Sequence, residues 1–141
     1  MREHWRSFNA LTFDVLDSCE QDILSSEGFA FLVRQVCRVR RTGICVLAPV
    51  CRTWSWMSRH SSGRSPLEPL GTGKCFAAEE ENEMVSKVVL LLKPIISRGS
   101  IFVLEQPHGS LLPEHPRFQD FLRHHVVWKV FARETGNSNY N

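Results

Sequence analysis

Apolar and polar residues follow one another along this chain in patterns that predict a strand and then a helix at its start. Residues 11–17, LTFDVLD, alternate as in a short strand. Apolar residues then recur at helical spacing from Phe29 to Cys37, with Ser25 or Ser26 placed to act as the N-cap. The first third of the chain is therefore predicted to hold one strand and one helix.

Two short apolar runs further along are continuous rather than alternating. Residues 44–48 and 100–105 have the pattern of parallel strands that are buried on both faces of a sheet. Between them, residues 77–99 form a predicted helix with acids in its first turn, which suits the helix dipole. Pro94 is expected to kink or end this helix near Leu92.

The last two predicted elements are a short helix over residues 113–125 and a strand over residues 126–132. Alternation of strands and helices predicts an α/β chain, a three-layer Rossmann-like fold with a mostly parallel sheet. We expect an irregular N-terminal extension at residues 1–10, one α/β domain at 11–132 and a frayed tail at 133–141.

Composition agrees with a single domain of 141 residues, 43% of them hydrophobic. No apolar run is long enough to cross a bilayer and the first residues lack a secretory signal, so we expect a cytoplasmic or nuclear protein without a membrane partner. The five cysteines match no metal pattern and are interpreted as reduced thiols, with Cys37 and Cys45 as small core residues.

Charge is unevenly distributed along the chain. Residues 1–27 carry six acids and two arginines, whereas residues 28–67 carry seven arginines and no acid. A window of about +7 suits an anionic partner such as DNA or RNA, although a solvated basic surface is the alternative. The sequence leaves the oligomeric state open.

Two reactive side chains follow the continuous apolar runs. Cys51 comes shortly after the first run and Glu105 ends the second. Ligands of open parallel sheets bind at the carboxyl ends of strands, so a shared site containing a thiol nucleophile and a carboxylic acid is predicted. The alternatives are that Cys51 is a small loop residue and that Glu105 caps the QPHGS turn.

The same stretches carry a resemblance to known proteins. PVCRTWS (49–55) and EQP (105–107) resemble the nucleophile and acid motifs of cytosine-5 DNA methyltransferases. Over residues 13–130 the chain is similar to a large group of uncharacterised microalgal proteins. The shared features are the loop CRTWSWMSR, the tripeptide PLG, Asn82 on a helix, and the segment LEQPHGSLLPEHPR.

The resemblance implies a catalytic role for two residues. Cys51 would attack carbon 6 of a flipped cytosine, Glu105 would protonate ring nitrogen 3, and S-adenosylmethionine would supply a methyl group. Asp14 or Asp17 would bind the cofactor's ribose and Asp22 its adenine side. The nucleic acid would contact Arg52, Trp54, Ser55, Arg59 and Arg64.

The glycine-rich cofactor loop of that family has no counterpart here, because residues 1–10 contain no glycine. We therefore expect a Rossmann-like domain that is incomplete at its N-terminus, a truncated member of that family derived from a mobile element. The predicted function is a nucleic-acid-associated methyltransferase-like domain that is inactive. The alternatives are an active cytosine-5 methyltransferase, a non-catalytic nucleic-acid-binding module, and a cysteine hydrolase that uses Cys51 with His108.

Overall fold

A computed structural model describes residues 10–130, and it has a mixed α/β architecture. In chain order the regular elements are α1 (Ser26–Val36), β1 (Ile44–Leu47), α2 (Arg59–Ser62), α3 (Phe76–Ser97), β2 (Ile101–Leu104) and α4 (Pro116–His124). Single 3-10 turns occur at Cys19–Gln21, Trp56–Ser58 and Leu112–Glu114. Over residues 10–130, no helix combines the length and the apolar character needed to cross a membrane.

Strands β1 and β2 form a two-stranded parallel sheet. Val46 pairs with Val103, and the register holds from Ile44 opposite Ile101 to Leu47 opposite Leu104. Helix α3 makes the crossover between the strands, as parallel connections require. The prediction that these two apolar runs are adjacent and parallel is confirmed.

The two faces of this sheet differ in their surroundings. Helices α1, α3 and α4 contribute the buried residues that pack against Cys45, Leu47, Phe102 and Leu104. The alternate side chains face the other way and are exposed: Ile44 66%, Val46 68%, Ile101 58% and Val103 47%. We call these four residues the open face.

Burial of both strands on both faces, as predicted, is therefore wrong for the described part of the chain. A continuous apolar run does not show on how many faces helices will cover the strand. Here the packed helices all lie on the same face of the sheet. The second helix layer of a three-layer fold is not found within residues 10–130.

Helix α3 forms the centre of the hydrophobic core. Leu91, Leu92 and Ile95 are fully buried on it, between α1 on one side and α4 on the other. Trp54 joins the same core from the loop after β1. The core thus fastens the loop that follows β1 to the helix that leads to β2.

Pro94 lies inside α3, which continues to Ser97, so the helix does not end near Leu92. Proline removes one backbone donor from a helix. Ile95 and Ile96, just beyond it, pack into the core, and this burial offsets the missing hydrogen bond.

Helix α1 begins as the sequence predicts. Ser25 is the N-cap, and its hydroxyl accepts a hydrogen bond from the Gly28 N–H at 2.9 Å. A Cβ atom at Gly28 would lie 2.1 Å from the carbonyl oxygen of Asp22, so only glycine fits at this close approach.

The strand predicted at residues 11–17 is wrong, because the chain turns there. Asp14 accepts a hydrogen bond from Leu16 N–H through its carboxylate and from Asp17 N–H through its carbonyl. Aspartate favours such turns because its side chain competes with strand partners for backbone N–H groups.

The predicted last strand, residues 126–132, is irregular over 126–130, and its remaining two residues lie outside the described part of the chain. Val126, Trp128 and Val130 are each at least 85% exposed. Pairing in a sheet needs a neighbouring backbone, and β-forming residues alone do not supply one.

All five cysteines lie in the described part of the chain and are unpaired, which agrees with reduced thiols. Cys45 faces the core, and burial raises the pKa of its thiol. Cys37 is exposed where α1 ends, so its prediction as a core residue is wrong.

Candidate nucleic-acid interface

The loops that follow β1 and β2 are joined at the carboxyl edge of the sheet. The Glu105 N–H donates to the Leu47 carbonyl at 2.9 Å, which extends the ladder past both strands. The Gln106 side-chain amide donates to the Pro49 carbonyl at 3.0 Å, and Gln106 accepts a hydrogen bond from the Ser110 hydroxyl. Gln106, held by Ser110, therefore ties the loop after β2 to the loop after β1.

Cys51 and Glu105 both follow the carboxyl ends of neighbouring parallel strands, as the sequence predicts. Cys51 is half-buried, and its carbonyl accepts the Trp54 N–H at 3.1 Å. Glu105 is exposed. Strand alternation places its side chain on the same side of the sheet as Ile101 and Val103.

Arg64 is the best-connected side chain of the loop after β1, although it is only 2% exposed. Its Nη1 donates to the Pro69 carbonyl at 2.6 Å and to Asn82 Oδ1 at 2.7 Å, and its Nη2 donates to the Ala78 carbonyl at 2.8 Å. Asn82 in turn donates to the Leu70 carbonyl. One guanidinium thus joins the loop to the first turns of α3.

The charge of Arg64 is balanced through Thr53. Arg64 Nε donates to the Thr53 hydroxyl at 3.0 Å, and both the hydroxyl and the N–H of Thr53 donate to Glu81 Oε2. Glu81 is 1% exposed, and its other oxygen lies 3.5 Å from Arg52 Nε. We call Thr53, Arg64, Glu81 and Asn82 the polar network.

Burial lowers the pKa of Arg64 to about 10, and electrostatic interaction with Glu81 and Cys75 opposes that shift. The guanidinium therefore remains charged at neutral pH. Its central carbon lies 3.4 Å from the centroid of the Trp54 ring, which is a close cation–π contact.

These contacts correct two of the predicted nucleic-acid residues. Trp54 has no exposed surface and belongs to the core, and Arg64 directs its donors inward. Both are enclosed by protein, so neither presents a surface to DNA or RNA.

Sequence reasoning missed the roles of Thr53, Glu81 and His115. Glu81 stands in the acidic run EEENE, yet helical spacing places it on one face with Ala78 and Val85, which are buried. This helical spacing predicts that Glu81 is buried while its neighbours in the acidic run face solvent.

His115 is the N-cap of α4 and is 3% exposed. Its Nδ1 accepts the Arg117 N–H at 3.2 Å, and its ring meets the edge of Trp54 with centroids 5.9 Å apart. Burial, followed by the positive charges of Arg64 and Arg117, lowers the pKa of His115 to about 4, while a hydrogen bond with the Asn82 backbone opposes the shift. The imidazole is therefore neutral at pH 7.

The exposed part of the loop after β1 is short and basic. Trp56 is 65% exposed and Met57 is 79% exposed, within the 3-10 turn Trp56–Ser58. Arg59 is exposed, and the side chain of Arg52 is 65% exposed despite its contact with Glu81. Ser55, half-buried, shares a hydrogen bond of 3.1 Å with Ser58 and accepts from it through its carbonyl, which fixes the turn.

The three aspartates predicted to bind S-adenosylmethionine serve local turns instead. Asp14 caps Leu16, Asp17 accepts from the Thr12 hydroxyl at 3.5 Å, and Asp22 accepts the Leu24 N–H at 2.8 Å. Within residues 10–130 no strand precedes α1, so in that range these acids do not stand at a strand end as cofactor-binding acids do. The residues present do not fit this cofactor.

Two open pockets lie between α3 and α4, with volumes of about 340 and 260 Å³. Lys93, Asp120 and Arg117 are among their lining residues, whereas Cys51, Glu105 and Trp56 line neither. Among residues 10–130, no group of three or more acids, histidines and cysteines is arranged to hold a metal ion.

Comparison with known proteins adds no relative: no family model, no curated protein and no solved structure matches this chain.

Proposed function

We propose that this chain is a non-catalytic nucleic-acid-binding module built on a methyltransferase-like, Rossmann-like parallel unit. The observation that carries the proposal is an exposed aromatic side chain between two exposed arginines at the carboxyl edge of the sheet. Trp56 offers a flat surface for stacking, and Arg52 and Arg59, which precede and follow it in the same loop, offer exposed positive charge. Single-stranded DNA or RNA is the partner class that this combination suits best.

The position of the loop supports the proposal. Parallel sheets bind ligands beyond the carboxyl ends of their strands, and the loop after β1 leaves the sheet at that edge. The polar network anchors the loop from inside, so Trp56 and Arg59 are presented on a fixed support. A fixed aromatic side chain loses less entropy on binding than a mobile one.

The distribution of charge supports the same partner. Residues 28–67 contain no acid, so no carboxylate of that window repels phosphates near Trp56. Phosphate contacts give affinity without reading sequence, and stacking tolerates every base. Binding is therefore expected to be salt-dependent and weakly sequence-selective.

Fluorescence anisotropy with labelled single-stranded DNA, single-stranded RNA and duplex DNA tests the proposal. Trp56→Ala should weaken single-strand binding by roughly 5- to 150-fold, because stacking on an aromatic contributes about 1–3 kcal/mol per base. Trp56→Phe should retain most of the affinity. Equal binding by wild type and Trp56→Ala, or titrations that do not respond to salt, would refute the proposal.

Arginine substitutions provide the matched comparison. Arg59→Ala should weaken binding to all sequences alike and reduce the salt slope by about one. Arg123→Ala removes the same charge from the exposed end of α4 and should leave affinity unchanged. Equal losses for both variants would indicate a diffuse charge effect instead of a site.

An active cytosine-5 methyltransferase is the second candidate. The favouring observation is that Cys51 and Glu105 follow the same ends of adjacent strands. Incubation with tritiated S-adenosylmethionine and mixed nucleic acids tests it. We expect no transfer, and transfer that disappears in Cys51→Ser would replace our proposal with the enzyme.

A further inference from the structure

Glu81 is the only buried acid among residues 10–130, and half of its carboxylate has no hydrogen bond. Oε2 accepts from both the N–H and the hydroxyl of Thr53, whereas Oε1 accepts from no donor in that part of the chain. A carboxylate oxygen that is removed from water and left without a donor is unfavourable unless a positive charge lies close to it. The position of that charge is therefore informative.

The charge that faces Oε1 belongs to Arg52. Its Nε lies 3.5 Å from Glu81 Oε1, although the Arg52 side chain is 65% exposed. This side chain makes no hydrogen bond and no second ion pair with any residue that the structure describes. Nε is the nitrogen nearest the aliphatic stem, so the contact restrains the inner end of the guanidinium and leaves the two Nη groups at its tip as free donors. A buried carboxylate is screened less than an exposed one, which strengthens the restraint.

The neighbouring charges show that Glu81 does not neutralise Arg52. Glu81 also balances Arg64, which it reaches through the Thr53 hydroxyl. One carboxylate therefore serves two guanidinium groups, and one positive charge remains in excess. Arg64 is buried and directs its donors into the protein, so a ligand meets the excess charge at Arg52.

We propose that Arg52 binds a backbone phosphate of the nucleic acid and that Glu81 is its positioning residue, an inference that rests on the function proposed above. The two terminal nitrogens of a guanidinium match two oxygens of a phosphate. A guanidinium whose direction is fixed before binding loses less entropy when the phosphate arrives. Arg59, in the same loop, has no acidic partner within residues 10–130 and is not restrained in this way.

Removing an acid strengthens nucleic-acid binding if only net charge matters, and we expect the opposite at Glu81. Glu81→Gln should weaken binding of single-stranded DNA about three- to tenfold, because Arg52 is no longer held. Glu79→Gln makes the same change at an exposed acid of α3 and should leave affinity unchanged or raise it slightly. Fluorescence anisotropy measures both, and circular dichroism checks folding. A folded Glu81→Gln that binds as tightly as wild type, or more tightly, would overturn the inference.

Lysine substitutions test the inference in a chain that keeps Glu81. Lysine retains the charge of arginine but lacks its planar set of donors, so it cannot face Glu81 with one nitrogen and a phosphate with two others. Arg52→Lys should weaken binding about threefold or more without changing the salt slope, whereas Arg59→Lys should weaken it less than about twofold. Equal effects of the two substitutions would show that Arg52 acts only as a charge, and would contradict a positioned guanidinium.

A double-mutant cycle separates this inference from the proposed function. If wild type binds no single strand, both fail. If wild type binds, Glu81→Gln should no longer weaken binding in an Arg52→Ala background, because no guanidinium is left to position. Losses that simply add would overturn the role of Glu81 and leave the nucleic-acid-binding module standing.

Nuclear magnetic resonance of arginine Nε–H groups tests the restraint without any nucleic acid. The Arg52 signal is identified by its absence from the spectrum of Arg52→Lys. It should shift in Glu81→Gln and stay in place in Glu79→Gln, because only Glu81 lies within reach of Nε. A signal that is the same in wild type and Glu81→Gln would show that Glu81 does not hold Arg52 in solution, and the inference would then fail whatever the chain binds.

Discussion

The loop after β1 and the open face of the sheet contradict the usual relation between polarity and burial. The loop is rich in arginine and hydroxyl side chains, yet Arg64 and Thr53 lie inside the protein. The open face consists of isoleucine and valine, yet all four side chains are about half exposed or more. Residue type alone therefore predicts the location of neither region.

The difference lies in what surrounds each region. Buried polar groups are tolerated when their hydrogen bonds are satisfied, and Arg64 reaches four acceptors within the loop and α3. Apolar side chains are buried only where another element covers them, and the described helices cover one side of the sheet. Partners in space, rather than hydropathy along the chain, decide both cases.

The largest expected effect comes from removing the centre of the polar network. Arg64→Ala should destabilise the protein by about 3–5 kcal/mol, because it removes the buried charge that balances Glu81, which keeps only the exposed Arg52 at 3.5 Å, and it leaves four acceptors without their donor. Arg59→Ala, in the same loop but exposed, should change stability by no more than about 0.5 kcal/mol. Urea unfolding measures both variants. A loss of less than about 1 kcal/mol for Arg64→Ala would mean that the network is loose in solution.

The next effect is pH-dependent and comes from His115. Its pKa is lowered from 6.5 to about 4 in the folded protein, so the unfolded chain binds a proton more readily. This contribution to stability is full above pH 6.5 and is lost as the pH falls toward 4, by up to about 3 kcal/mol. Protonation of Nδ1 would also remove the acceptor for the Arg117 N–H.

Unfolding free energies measured from pH 4 to pH 8 test this prediction against His115→Asn. Asparagine is a good N-cap but does not titrate, so it keeps an acceptor for α4 without the pH dependence. The difference between the two pH profiles isolates His115. Parallel profiles would show that the imidazole is solvated in the folded state.

A smaller loss is expected when only the bridge of the network is removed. Thr53→Val keeps the shape but deletes the hydroxyl that joins Arg64 Nε to Glu81 Oε2. The expected cost is about 1–3 kcal/mol, the penalty of leaving buried polar atoms without a partner. Thr12→Val removes an exposed hydroxyl and should be neutral. Equal effects of the two substitutions would contradict a buried bridge.

The sequence was sufficient for the elements whose signals are local. An N-cap at Ser25 or Ser26, which is Ser25 in the structure, the long helix from the acidic run onward, and the parallel pairing of two apolar runs were predicted and found. Each depends on spacing and capping within a few turns of chain, or on the crossover that a parallel pair requires.

The remaining features depend on partners distant in sequence. Arg64 reaches Asn82, 18 residues away, and Thr53 reaches Glu81, 28 residues away, so neither burial is visible in a local pattern. At residues 11–17 the β-forming pattern predicts a strand, but the Asp14 carboxylate accepts the Leu16 N–H and the chain forms a turn. Cys51 and Glu105 were placed at the correct edge, because strand ends are local features, whereas the inward direction of Trp54 was not predictable.

The smallest effect is expected on the open face and tests the comparison most directly. Val46→Thr and Val85→Thr are the same chemical change, made where the side chain is 68% exposed and where it is 1% exposed. In the core the new hydroxyl is desolvated, so Val85→Thr should cost about 1–3 kcal/mol. On the open face, where threonine also suits a strand, Val46→Thr should change stability by less than about 0.5 kcal/mol.

Unfolding is measured at about 1 µM to keep the chain monomeric and repeated at higher concentration. A cost for Val46→Thr that is small at low concentration and grows at high concentration would show that association buries this face. A cost equal to that of Val85→Thr at 1 µM would show that the chain itself covers it.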